Sequence, residues 1–241
     1  MSNVYKKVWV FGDSYTTPDY CVDPQDSFWG LTGTAVKADF IFNSSWPGNS
    51  FYSVVQMLIN MQNQFDFKND LILIGIPPLV RFTFFDNYKD THYNTKVINT
   101  QTWIQEDQEI ASHNGLVNVK LDQLKDLTLL EDRAWTETMA LNTVFLITTW
   151  LDAQKANYMI INLSKPFDHN NVWGPSSFVL PYAKNHSRCM LFDDTYYSIN
   201  LEINPPTDFD KHGWTGHHGP AGNQYFFEKS LWPKMQQCKL V

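Results

Sequence analysis

The sequence predicts an α/β fold: a three-layer α/β/α domain on a doubly wound, mainly parallel sheet of about five strands. Three observations predict it. Short unbroken apolar runs at 8–11, 70–75 and 158–162 read as strands buried on both faces. Stretches of helical period alternate with them, and strands alternating with helices imply right-handed crossovers in a parallel sheet. The first run stops at Gly12-Asp13-Ser14, which places a hydroxyl just past a strand end, where such sheets hold their ligands.

The elements follow in order. After VWVF at 8–11, Gly12 suits a tight strand exit because it lacks a Cβ that would clash at unusual backbone angles. Residues 28–38 read as a first helix and 39–42 as a second strand, followed by the loop NSSWPGNS at 43–50. Residues 50–64 form an amphipathic helix with Val54, Val55, Leu58 and Ile59 on one face. DLILIG at 70–75 is a buried strand, ended by Gly75 and by Pro77-Pro78, which cannot continue a ladder. Residues 134–156 form a long helix, with Ala134, Met139, Leu141, Val144, Phe145, Ile147 and Leu151 at roughly helical spacing. Strands at 158–162 and 188–192 follow, and residues 220–237 close the chain as a helix with Pro220 in its first turn. This is the arrangement of flavodoxin-like doubly wound folds. The interval 86–133 is long and polar and breaks the rhythm; it reads as an insertion on a single domain spanning 1–241, a cap or a partner surface.

Composition narrows the function classes. The chain has 241 residues, enough for one large domain with a full core. A net charge of −7 argues against nucleic acid as the main partner. No apolar run reaches the roughly 18 residues of a membrane span. The N-terminal residues run straight into the first strand with no secretory signal, so a cytoplasmic or virion-associated location is expected. Cys21, Cys189 and Cys238 form an odd, scattered set without a CxxC pair, which fits a reducing compartment. The many aromatic residues suit a large core, and some suit a carbohydrate or acyl pocket.

Ser14 has two readings, a helix N-cap and a nucleophile. Its place directly after the first strand favours the second, as does the far end of the chain. There GHHGPAGNQYFFEKSL, residues 216–231, puts a histidine loop before the last helix. An N-terminal Gly-Asp-Ser paired with such a loop resembles the SGNH, or GDSL-type, hydrolases, on the chain's two ends. The Gly-Asp-Ser-Tyr start and the altered third block described below also resemble divergent members found in phages. The resemblance implies an acyl-enzyme mechanism with Ser14 as nucleophile. His217 is the implied base, because the following Gly219-Pro220-Ala221-Gly222-Asn223 fits the family's downstream pattern. His218 is the alternative base. Gly48 in WPGNS resembles the second-block glycine whose N–H serves the oxyanion hole.

Two departures stand out. Where the family has an aspartate three residues before the histidine, this chain has Trp214. Asp210, or else Asp208, is then the candidate to orient the imidazole, and a Ser-His dyad held by a backbone carbonyl is the remaining option. The third block normally offers an asparagine after a strand, but here it reads Gly75-Ile76-Pro77-Pro78. Asn49 or Arg81 is the candidate substitute donor. Losing one oxyanion donor costs about 100- to 1000-fold in rate, so the chain either compensates locally or is a weak relative.

No metal or cofactor is expected. His212, His217, His218, Asp208 and Asp210 lie close in sequence but lack the spacing of a metal motif. The leading function is serine ester hydrolysis on a small acyl ester or an acetylated glycan, with a lean toward carbohydrate O-deacetylation. The other reading is a weak or inactive module of the same fold that binds glycan or serves in a virion. The missing asparagine and displaced aspartate favour the module; the retention of Ser14, Gly48 and His217 together opposes it. The oligomeric state stays open.

Overall fold

The computed structural model describes residues 4–18, 21, 23–46, 49–79, 81–85, 95–99, 133–164, 167, 179–192, 195–196 and 218–241, with the backbone alone at 81–85, 95–99 and 133–135. Five strands make a wholly parallel sheet: β1 (Lys7–Phe11), β2 (Phe40–Asn43), β3 (Asp70–Ile76), β6 (Asn157–Asn162) and β7 (Cys189–Met190). Their spatial order is β2-β1-β3-β6-β7. The order reverses between β1 and β3, and sheets of this kind hold their ligands beyond the carboxyl ends of the strands at such a reversal. Ser14 stands just past the carboxyl end of β1.

Side-chain alternation along β1 divides the core into two layers. Trp9 and Phe11 face one way, with Ile72, Ile74 and Ile76 of β3, toward α2 (Phe51–Met61), α3 (Arg133–Ala153) and α4 (Val179–Asn185). Val8 and Val10 face the other way, with Leu71 and Leu73, toward α1 (Phe28–Ala35) and the C-terminal helical segment. This segment comprises α5 (Pro220–Phe226), a π-helical turn (Phe227–Leu231) and α6 (Trp232–Gln237). The π turn has an identifiable cause. Pro233 donates no N–H, and in a regular helix its ring would crowd the carbonyl four residues back. The wider turn relieves that clash, and the Trp232 N–H reaches the Phe227 carbonyl instead.

Several expectations shift. On α2 the buried stripe is Phe51, Val54 and Leu58, while Ile59 is 43% exposed, because it lies one residue round the helix from that stripe. On α3, Leu141, Val144, Ile147 and Leu151 are buried, but Met139 is exposed. The last strand is two residues rather than five. Gly75 lies inside β3, where a Cβ would overlap the Leu163 side chain and approach Phe11 O to 3.3 Å. A separate two-stranded sheet brackets the start of the polar interval: β4 (Arg81–Phe85), just before it, pairs antiparallel with β5 (Thr95–Asn99), inside it. The expected cap at 86–133 otherwise falls outside the described residues. No helix among the described residues is long and apolar enough to cross a membrane.

Three helices end on a lysine in the left-handed region: Lys37, Lys155 and Lys239, with φ of 55°, 56° and 57°. In each case the next residue's N–H returns to a carbonyl five residues earlier, as in Ala156 to Leu151 at 2.9 Å. A side chain at such φ costs roughly 1–2 kcal/mol, more than the added chain entropy of glycine. Lys155→Gly is therefore expected to stabilise the fold by about 0.5–1 kcal/mol, read from a urea denaturation midpoint.

Candidate active site

The strand-exit turn is built by Asp13. This residue is fully buried, and its carbonyl accepts the Thr16 N–H, the Thr17 N–H and the Thr16 hydroxyl, each at 3.0 Å. Its carboxylate accepts the Tyr15 N–H at 3.1 Å, the local bond that suits aspartate to turns. Ser14 is thereby held at the crest of the turn, 7% exposed. Among the described residues no hydrogen bond engages its hydroxyl. It caps no helix either: the first α-helix begins at Phe28, and its cap is Ser27, whose hydroxyl accepts the Gly30 N–H.

Gly12 is required for space rather than for backbone angle. Its φ lies outside the left-handed region, but a Cβ would overlap the Thr16 side chain. The turn folds back tightly enough that only a hydrogen fits there.

The loop after β2 braces this turn. Asn43 donates its amide to the Thr16 carbonyl at 2.6 Å and accepts the Ser45 N–H at 2.9 Å. The Ser45 and Thr16 hydroxyls meet at 2.8 Å. Asn49 donates to the Gly12 carbonyl at 2.9 Å and also approaches Met57 Sδ at 3.5 Å. Its amide hydrogens therefore point into the protein, which makes Asn49 a brace for the strand exit. Gly48 lies outside the described residues. Pro77 and Pro78 after β3 have no N–H to offer. Arg81 opens β4 opposite Asn99, and its side chain is outside the described residues.

The histidine loop arrives from the other end of the chain. His217, Asp210 and Asp208 lie outside the described residues; His218 lies within them. The His218 ring is 6% exposed, and its Nε2 donates to the Tyr196 carbonyl at 2.9 Å. A nitrogen committed as a donor cannot also accept a proton from a nucleophile, so Nε2 of His218 is unsuited to the base's task.

Two residues that carried no role in the sequence hold this region together. Tyr196 is buried and meets the His218 ring edge-on, with centroids 4.4 Å apart. Its ring also packs against Tyr15 at 5.9 Å, Phe28 at 5.2 Å and Phe226 at 5.1 Å. Its N–H bonds the Asn162 carbonyl at the end of β6. Asn223 is buried beside it. Its oxygen accepts the Tyr196 hydroxyl at 3.1 Å and the Phe28 N–H at 3.0 Å, and its amide donates to the His218 and Gly219 carbonyls at 3.0 Å each. Phe28 opens α1, so its N–H has no partner within the helix, and Asn223 satisfies it. Asn223 stands in the downstream motif, which was the available signal. Tyr196 had none, because a tyrosine in an irregular segment gives no periodic cue.

Cys189 and Cys238 are poor rival nucleophiles. Burial pushes the Cys189 and Cys238 thiols up, which keeps them protonated.

Two outcomes test this geometry. Gly12→Ala is expected to destabilise by roughly 1–3 kcal/mol through overpacking, and adding Thr16→Ala is expected to recover part of the loss in a double-mutant denaturation cycle. Asn223→Ala removes the bonds to the Phe28 N–H, the Tyr196 hydroxyl and the His218 carbonyl, while the Gly219 carbonyl keeps the N–H of residue 223; it is expected to cost about 1–3 kcal/mol in the same assay.

No family model and no curated protein matches the chain. Among solved structures it is similar to a member of the lipolytic protein G-D-S-L family from Veillonella parvula. That match has 14% identity and a TM-score of 0.48, covering 94% of this chain and 96% of that one. The chain is also similar to the psychrotrophic esterase EstA from a Pseudoalteromonas species, at 13% identity and a TM-score of 0.44, covering 98% and 100%. An acetyl xylan esterase from Geobacillus stearothermophilus is similar at 15% identity and a TM-score of 0.42, covering 98% and 97%.

Proposed function

We propose that the protein is a serine ester hydrolase in which Ser14 is the nucleophile, His217 the base and Asp210 the residue that orients the imidazole. The observation that carries this reading is Tyr196. Its buried ring packs on Tyr15, the residue after Ser14, and on His218, the residue after His217. One side chain thus ties the nucleophile's turn to the histidine loop, although more than 200 residues separate them in sequence.

The chemistry runs through an acyl-enzyme. Ser14 Oγ attacks the ester carbonyl carbon while its proton passes to the imidazole of His217. The carbonyl oxygen becomes an oxyanion and accepts from the N–H groups of Ser14 and Gly48. The C–O bond to the alcohol breaks as the imidazolium returns the proton to the leaving oxygen. Water then gives a proton to the imidazole and attacks the acyl carbon. The carboxylic acid leaves, and Ser14 regains its proton. Arg81 supplies the third oxyanion donor in place of the asparagine that this chain lacks. Asn49 keeps the Gly12 carbonyl turned away from that oxyanion.

The substrate is an acetylated carbohydrate. Trp46, 66% exposed, sits in the loop braced against the Gly12–Thr16 turn. An exposed indole in that loop suits the apolar face of a sugar ring better than it suits water.

Ser14→Ala is expected to lower hydrolysis of p-nitrophenyl acetate by at least about a thousandfold with unchanged circular dichroism. A fluorophosphonate probe is expected to label Ser14, located by peptide mass mapping. His217→Ala is expected to match the Ser14 loss, whereas His218→Ala retains measurable turnover. Wild-type turnover in Ser14→Ala, or a label at another residue, would overturn the assignment.

A further inference from the structure

Among the described residues one edge of the sheet carries no further strand, and that edge points to a second function of the surface, association with a second copy of this chain. β2 is the edge strand of the five-stranded order, and all three of its apolar side chains are exposed: Phe40 by 69%, Ile41 by 38% and Phe42 by 44%. Edge strands usually carry a charge, a proline or a bulge that blocks pairing with another chain. Phe40–Asn43 has no proline and no charge, and its pairing with β1 is in continuous register.

The backbone direction makes this edge self-complementary. The Phe40 N–H bonds Lys6 O at 3.2 Å and the Ser44 N–H bonds Val10 O at 2.8 Å, so the groups of even-numbered residues turn toward β1. By strand alternation the N–H and C=O of Ile41 turn outward. An antiparallel partner strand centred on Ile41 would exchange both of those bonds with Ile41 of the second copy, across a two-fold axis. The same register sets Phe40 opposite Phe42 of the second copy, twice over. Both phenylalanines lie on the face of Trp9, whose ring centroid is 4.8 Å from that of Phe42. Aromatic cross-strand pairs of this kind stabilise a sheet. Asp39 falls opposite Asn43, so no like charges meet.

The other face supplies a receptacle. A groove of about 820 Å³ runs beside β2 and is lined by Trp29, Gly33, Lys37, Ala38, Ile41 and Asn43 among others. Ile41 already fits against α1 at Gly33, where a Cβ would overlap it. In the paired arrangement Ile41 of the second copy lies on this same face and enters the groove.

We infer that two copies of this chain pair antiparallel through β2, centred on Ile41, to form one continuous sheet. Four residues make a short contact, so the dimer is expected to be concentration-dependent. Sedimentation equilibrium of the full chain over roughly 1–100 μM tests it. The average mass is expected to rise from 28.0 kDa toward twice that value. Ile41→Pro removes an N–H that no internal bond uses, and edge strands tolerate proline in that orientation. It is expected to abolish the rise. Phe40→Lys, at an exposed position that the fold does not need, is expected to do the same and decides the matter should the proline variant not fold. A wild-type chain that stays monomeric throughout, or variants that associate as the wild type does, would overturn the inference.

Discussion

The Asn223 carboxamide makes four bonds inside the protein, two through its oxygen and two through its amide hydrogens. The partners belong to three different segments: the start of α1, Tyr196, and the adjacent His218 and Gly219 carbonyls. A buried amide is stable only when its donors and acceptors are all used, so these parts can sit in only one mutual arrangement. Tyr196 extends that arrangement to the nucleophile's turn through its ring and to β6 through its backbone N–H. The relation between the two ends of the chain therefore rests on one satisfied polar group and the aromatic ring beside it.

The turn that presents Ser14 follows the same logic. Asp13, Thr16, Asn43, Ser45 and Asn49 direct their polar groups at one another and at the backbone. The close return of Thr16 to the strand exit demands a residue without a Cβ at Gly12. Within this network the Ser14 hydroxyl is the group that no neighbour among the described residues engages. A rigid frame around an unengaged hydroxyl is the preorganisation that the proposed acyl transfer would need.

Sheet order links the candidate site to the proposed interface. The reversal between β1 and β3 sets the proposed site at the carboxyl end of β1, and the same order leaves β2 outermost. The loop that leaves β2 carries Asn43, Ser45 and Asn49 to the Ser14 turn. A partner strand on the outer edge of β2 would border the element that braces the Ser14 turn.

Local patterning determined the strands and long helices of this protein. β1, β3 and β6 are unbroken apolar runs because both faces of a central parallel strand are buried, and no neighbouring contact is needed to recognise that. The position of Ser14 after β1 was legible for the same reason. The antiparallel β4–β5 pair and the short helix α4 were not, because two five-residue strands and a seven-residue segment are too short to carry a clear periodicity. At the site, His217 and His218 are neighbours of identical chemistry. The downstream motif register favoured His217 by resemblance, and the tertiary bond from His218 Nε2 to the Tyr196 carbonyl adds a physical reason against His218. Asn49, a candidate donor by sequence, is turned inward by the Gly12 carbonyl. Tyr196 and Asn223 gained their roles only through folding. A buried polar group is defined by partners far away along the chain, and no local pattern encodes where those partners will lie.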